Sequence, residues 1–118
     1  MCCKLAPNRV ALLVAEGLEE IEGLTVVDLL FRAGIPCDTI SIVPERTVTS
    51  SHKVTIVCDR SLADEDFSFA DYGLVVLPGG VPGTPNLAAC MPLTDELCRR
   101  MAAHEPVAAI CAAPTIQI

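Results

Sequence analysis

An apolar run that ends on a cysteine, Val107-Ala-Ala-Ile-Cys111-Ala-Ala-Pro114, is where this sequence offers chemistry. Val107 to Ile110 reads as a short buried strand. Pro114 fits the first turn of a helix, where its missing N–H costs nothing. Cys111 then sits on a sharp strand-to-helix turn, with Ala109 and Ala113 two positions to either side. Small–x–nucleophile–x–small is the pattern of a nucleophile elbow, with cysteine for serine and alanine for glycine. The helix that follows would turn its free N–H groups and positive dipole end toward the sulfur and favour thiolate. The competing reading is a small core hydrophobe, because free cysteine is among the most buried residue types.

Two further groups belong to the same rim. Leu77-Pro-Gly-Gly80 follows a strand end, and Gly79 and Gly80 let the backbone approach a ligand closely. Their N–H groups suit an oxyanion formed when a thiolate attacks a carbonyl. An ordinary turn is the plainer reading of the same residues. A phosphate cradle fits less well, since the spacing is G-G-x-x-G and Pro82 removes a donor. Glu22 stands one turn into the first helix, beyond the first strand. Pointing inward among Ile21, Val26 and Leu29, its carboxyl would be desolvated, stay protonated and donate to a thiolate. Pointing outward, it is an exposed helix glutamate.

The elements that must position these groups follow from periodicity. Arg9 to Ala15 reads as a buried strand, Glu16-Gly17 as a turn, and Glu19 to Arg32 as a helix. Ile21, Leu24, Val27 and Phe31 recur near helical spacing, and Val26, Leu29 and Leu30 widen that apolar face. Gly34 ends the helix. Cys37 to Val43 is a second, parallel strand, which makes a right-handed βαβ unit. Thr47–Thr49 and Val54–Cys58 form a hairpin around Ser50-Ser51-His52-Lys53. Ser61 to Phe69 is acidic and irregular or weakly helical. Gly73 to Leu77 is another buried strand, and 78–83 a loop. Asn86 opens a short helical turn, and Thr94 starts a helix that ends near His104. Pro106 opens the strand that delivers Cys111. The expected fold is α/β: one doubly wound, mostly parallel sheet, flavodoxin-like or Rossmann-like, with an appended β-hairpin.

Composition narrows the function classes. The 118 residues make one domain, 52% hydrophobic but only 3% aromatic, as an aliphatic parallel sheet requires. No apolar run is long enough to span a membrane, and Met1-Cys2-Cys3-Lys4 lacks the apolar stretch of a secretory signal. Net charge is −7, with acidic clusters at Glu16, Glu19, Glu20 and Glu22 and at Asp59, Asp64, Glu65, Asp66 and Asp71. That balance argues against nucleic acid partners, as the lack of a long apolar run does against a membrane, and most of these acids read as solvated surface. Seven cysteines, an odd number with no C-x-x-C, read as free thiols in a reduced, cytoplasmic protein. Two histidines, His52 and His104, are too few for a His/Cys metal site, so no metal is expected.

Taken together, the three groups resemble the ThiJ/PfpI family (the DJ-one superfamily, within the class I glutamine-amidotransferase-like fold). Ala15 to Glu22 resembles the family's first loop and helix, with Glu22 as the carboxylate at the nucleophile. Val76-Leu-Pro-Gly-Gly80 resembles its oxyanion loop, and Ala108 to Pro114 its elbow. The small, hairpin-bearing YajL/ThiJ-like branch is the nearest in character. Cys58 resembles that branch's second cysteine, near the dimer interface, as an interface or second redox thiol. Family members continue past the elbow, and in many a histidine follows it. Neither His52 nor His104 holds that position. The last element, 112–118, has no C-cap, so the single domain 1–118 is expected to be incomplete at its C-terminal side.

The resemblance implies cofactor-free cysteine chemistry on small reactive carbonyls, of the glyoxalase III or protein-deglycase kind. Cys111 would add to an aldehyde carbon. Glu22 would hold and exchange protons, and the N–H groups of Gly79, Gly80 and Ala112 would bind the oxyanion. Reactive aldehydes or glycated protein side chains would be the substrates, and the protein would be a homodimer. The rival is a non-enzymatic oxidative-stress sensor and chaperone, in which Cys111 oxidises to a sulfinic acid held by Glu22. A cysteine peptidase is a weaker third reading.

Overall fold

The computed structural model describes residues 7–111 and 113. Its first strand, β1 (Val10–Val14), is buried along its whole length. Such a strand must lie inside a sheet covered on both faces. Helix α1 (Glu20–Arg32) returns the chain to β2 (Cys37–Ser41), which pairs in parallel with β1 from Val10↔Cys37 to Val14↔Ser41. β3 (Thr47–Thr49) and β4 (Thr55–Val57) form an antiparallel hairpin of their own. After β5 (Arg60–Ser61) and a 3-10 turn at Phe69–Asp71 come β6 (Leu74–Leu77), α2 (Gly83–Ala88), α3 (Met91–Ala102) and β7 (Val107–Ala109).

The main sheet runs β5-β2-β1-β6-β7, with every pairing parallel. The chain moves outward to β2 and β5 on one side of β1, then to β6 and β7 on the other. The reversal puts a switch point between the C-terminal ends of β1 and β6, where open α/β sheets bind ligands. The doubly wound fold expected from the sequence is therefore present. Side chains alternate along β1. Ala11 and Leu13 join Val75, Leu77, Leu87, Leu93 and Leu97 on one face. Val10, Leu12 and Val14 join Leu18, Val48, Cys58 and Val76 on the other, backed by Val26, Val27 and Leu30 of α1.

Several expectations change. The core-facing stripe of α1 is Gly23, Val26, Val27 and Leu30, whereas Ile21, Leu24, Leu29 and Phe31 face out, with Ile21 68% and Phe31 82% exposed. A helix apolar nearly all round leaves the choice of face to packing. Here the choice turns on Gly23, where an added Cβ would lie 3.1 Å from Leu18 Cδ1. Gly34 does end the helix, with φ 74°. Where the segment read as irregular begins, Ser61 and the Arg60 before it form an edge strand on β2. Asp64 anchors it, accepting from the Ser61 N–H and from the Arg46 and Arg60 guanidiniums. α2 begins at Gly83, ahead of Asn86, and α3 at Met91, ahead of Thr94. The hairpin is a separate two-stranded sheet, tied to the β1–α1 loop by Gly17 N–H to Thr49 O (2.9 Å) and Ser51 N–H to Leu18 O (2.8 Å).

Candidate active site

The C-terminal ends of β1, β6 and β7 deliver the three expected groups to one rim. β7 is the edge strand next to β6, in register Leu77↔Ala109, and Ile110 N–H donates to Leu77 O (3.1 Å). The next residue, Cys111, has φ 59°, and Ala113 N–H donates back to Ile110 O. A non-glycine residue in the left-handed region costs on the order of 1–3 kcal/mol and persists only where the surroundings enforce it. This is the backbone signature of the elbow that Ala109, Cys111 and Ala113 promise. Cys111 is exposed on the rim.

Glu22 points inward to the oxyanion loop. Its Oε1 accepts the Gly79 N–H at 3.0 Å, across 57 residues of sequence. The Gly79 carbonyl accepts the Glu19 N–H at 2.9 Å. Both faces of the Gly79 peptide are thus held by the first turn of α1. Gly79 fills the space between the two chemical groups. A Cβ built there would stand 2.6 Å from Glu22 Oε1 and 2.8 Å from Cys111 Cβ. Real Cβ atoms do not approach so closely, so the carboxyl and the nucleophile's side chain close on one point that only glycine leaves open.

The expected oxyanion donors divide. Gly79 spends its N–H on Glu22, so its role is to hold the carboxyl, a correction to the part expected of it. The Gly80 N–H meets no acceptor among the described residues, and Gly80 has φ 105°, a conformation that suits glycine. Ala112, the other expected donor, lies outside the described residues, as does Pro114.

Cys58 lies in the interior of the chain. It is 2% exposed, packed in the core cluster between the main sheet, α1 and the hairpin. Burial pushes its thiol up to about 11. In this chain the thiol itself is covered, and it is Val57, one residue earlier, that faces solvent. Burial, with Asp38 and Asp59 nearby, pushes the Cys37 thiol up to about 11 too. The five described cysteines, Cys37, Cys58, Cys90, Cys98 and Cys111, are all free.

Sequence reasoning missed Glu19, whose backbone fixes Gly79, and Glu20, whose buried carboxylate accepts from His52. Nothing local in the sequence marks either, because both partners lie more than thirty residues away. His104 closes α3 with φ 58°, at the opposite end of β7 from Cys111. A cavity of about 430 Å³ opens between Phe67, Phe69 and α3, lined by none of these site residues. No helix among the described residues is long and apolar enough to cross a membrane.

Comparison with known proteins agrees with this fold. The model of the DJ-1/PfpI family matches residues 8–118. The chain belongs to the DJ-1/PfpI family. It is 34% identical over 111 residues to the Parkinson disease protein 7 homolog of Danio rerio, covering 94% of this chain and 58% of that protein. Among solved structures, the DJ-1 superfamily protein STM1931 of Salmonella typhimurium superposes with a TM-score of 0.84 at 33% identity, covering 92% of this chain and 58% of that one. Oxidized DJ-1 of Toxoplasma gondii superposes at 0.82 and 32% identity, covering 92% and 58%. The chain thus spans somewhat over half the length of these family members.

Proposed function

We propose that this DJ-1/PfpI chain carries a cofactor-free cysteine site for small reactive aldehydes, of the glyoxalase III or deglycase kind. The observation that carries the reading is Gly79, with its N–H bonded to Glu22 and its open side facing Cys111. A thiol, a carboxyl and an N–H with no acceptor among the described residues, all on one rim, are the parts that carbonyl addition needs.

With methylglyoxal, the Cys111 thiolate adds to the aldehyde carbon, and the carbonyl electron pair moves onto oxygen. The Gly80 N–H stabilises that oxyanion, and a proton from Glu22 Oε2 quenches it to the hemithioacetal. Oε2 is free for this because Gly79 holds Oε1. Glu22 then returns the proton balance. It takes the proton from the former aldehyde carbon as the former ketone oxygen becomes an enediolate, the hydroxyl proton passes from the first oxygen to the second, and Glu22 delivers its proton to the adjacent carbon, giving a lactoyl thioester. Water hydrolyses the thioester to lactate and frees the thiol. No electron leaves or enters overall. On a glycated side chain the same addition would begin release of the amine or thiol.

Lactate formation from methylglyoxal tests this, measured on wild type, Cys111→Ser and Glu22→Gln. Loss of turnover in Cys111→Ser, and a drop of about 10²–10⁴-fold in Glu22→Gln, is the expected pattern. Turnover that survives Cys111→Ser would end the proposal.

A sensor is the second reading, favoured by the exposure of Cys111 and by the oxidized form in which the Toxoplasma relative was solved. In either case Cys111 should outpace Cys37 and Cys58 in alkylation at pH 7. Those two thiols, one half-buried and one buried and both pushed up to about 11, are about one part in 10⁴ ionised there. Mass spectrometry after a short iodoacetamide pulse checks this, and equal labelling of the three would refute it.

We further propose a cytoplasmic homodimer. The outward face of α1, with Ile21, Leu24, Leu29 and Phe31 exposed, supplies apolar surface for a two-fold contact. Light scattering of wild type and Phe31→Asp should read dimer and monomer respectively. A wild-type monomer would rule the contact out.

A further inference from the structure

We propose that the Ser50–Lys53 turn of the hairpin is a pH-sensitive latch on the start of α1, closed by His52 and positioning the Gly79–Glu22–Cys111 site. The proposal rests on the reading of that site given above. His52 Nδ1 lies 3.1 Å from Glu20 Oε1, 3.0 Å from its Oε2 and 3.7 Å from Glu19 Oε1. Glu20 is only 8% exposed, although it opens a helix. One short stretch of α1 therefore makes three ties. Glu19 gives its N–H to Gly79 O, Glu20 holds His52, and Glu22 accepts from Gly79 N–H. Releasing the middle tie frees the stretch that fixes Gly79 on both sides.

The turn is built to carry that load. Ser50 N–H donates to Val54 O, Val54 N–H to Ser50 Oγ, and Lys53 adopts φ 68°. Ser51 N–H reaches Leu18 O and Thr49 N–H reaches Glu16 Oε2, so the hairpin already grips the β1–α1 loop beside the latch. The charged groups around His52 are Glu19 and Glu20 from α1, Glu16 from the loop, and Lys53, the next residue of the turn. Glu22 is turned away toward Gly79. Ser51 Oγ also approaches Nδ1, at 3.4 Å. Glu19, Glu20 and His52 present ligand-type atoms within 4.8 Å of one another, and Nδ1 is in contact with Glu20, which makes an ion pair when His52 is protonated.

The direction of the switch follows from the two titrations. The hydrogen bond to Glu20, then the charges of Glu20 and Glu19, raise His52 above its ordinary value. Burial would push Glu20 up, but hydrogen bonds from its own backbone, His52 and Ser50 outweigh that and lower it. A raised His52 contributes in full below its unfolded value and loses its contribution as pH rises through the folded one. A lowered Glu20 contributes above its unfolded value and fails as pH falls through its folded one. The latch is therefore closed at weakly acidic pH and opens on the alkaline side.

NMR titration of His52 in wild type and Glu20→Gln, with amide exchange at Ser51 and Gly79 in wild type and His52→Gln, tests the proposal without using the thiol. His52 should titrate above the ordinary histidine value and fall back in Glu20→Gln. At pH 6 the two amides should exchange about two- to fivefold faster in His52→Gln, the range that partly exposed ion pairs support, and the difference should vanish above the His52 midpoint. A His52 titration unmoved by Glu20→Gln, or equal exchange at pH 6, overturns the latch. Iodoacetamide rates at Cys111 are read beside them. A Cys111 that stays inert while both shifts occur overturns the catalytic reading and leaves the latch standing.

Discussion

Gly79→Ala should fold and yet lose about a hundredfold or more in Cys111-dependent turnover, the loss expected when reacting groups move by about an ångström. The added methyl would arrive 2.6 Å from Glu22 Oε1 and 2.8 Å from Cys111 Cβ, with Ile110 O at 3.1 Å. Of these, the Glu22 carboxyl is the end of a flexible side chain and can swing away. Cys111 is tied to an elbow at φ 59° and cannot. Expelling Glu22 breaks its bond to the Gly79 N–H and relieves one contact, while the contact to Cys111 Cβ must be relieved by a small shift of the loop away from the elbow, so both groups lose their placement. Stability should fall by about 1–3 kcal/mol, the cost of modest overpacking. Gly80→Ala is the contrasting variant. Its Cβ would meet the Glu19 backbone nitrogen, and φ 105° is hostile to any side chain, so it should fail to fold. Lactate formation, alkylation of Cys111 and thermal melting on both variants separate the cases. A Gly79→Ala protein with wild-type turnover would show that the carboxyl and the thiol do not act together.

What the sequence made legible was local. Val107 to Cys111 names its own turn, because an apolar run, small neighbours and a proline all act within eight residues. β1 and β6 are legible for the same reason, being apolar throughout with turn residues at their ends. The orientation of α1 was not, since apolar residues surround that helix and the period alone leaves two faces open. Close approach at Gly23, across to Leu18 and Leu12, decides it. β5 was hidden because its two residues are a strand only through Ile40↔Arg60 and Ser41↔Ser61. The job of Gly79 needed the partner of its N–H, and that partner is 57 residues away. The burial of Cys58 between sheet, helix and hairpin is not legible locally either, because the residues that cover it come from β1, β3 and α1. The acidic clusters, read as solvated surface, contain Glu20 and Asp64, each of which ties together segments distant in sequence. Charge composition cannot tell such ties from surface.

Arg100→Met should be the most destabilising of these substitutions that leaves every site residue in place. Arg100 sits in α3 at 1% exposure, among the largest fully buried side chains. Its Nε donates to Glu96 Oε2 at 2.6 Å, and its Nη2 donates to Phe69 O at 2.8 Å and Tyr72 O at 2.7 Å. The guanidinium thus closes the last polar groups of the turn before β6, the strand that carries Gly79 and Gly80 at its end. Methionine matches much of the volume but supplies no donor. The buried Tyr72 carbonyl would lose the Arg100 donor, Phe69 O would keep only the Tyr72 N–H and Glu96 only Arg99, and breaking such a buried pair costs about 3–5 kcal/mol. Against the 5–15 kcal/mol that typically holds a domain together, that is a large share. The urea midpoint should fall by about 2 M, taking about 2 kcal/mol per molar for the slope. The pH profile gives a second reading. Burial would push Glu96 up, but hydrogen bonds from Arg99 and Arg100 hold it below the usual carboxylate value. Its contribution is present above the unfolded value and fades as pH falls through the folded one. Arg99 keeps its own bond to Glu96 in the variant, at 2.8 Å, so the acid limb should weaken and not vanish. Urea unfolding of wild type and Arg100→Met between pH 3 and 7 measures both effects. A midpoint within a few tenths molar of wild type would show that the guanidinium only fills space.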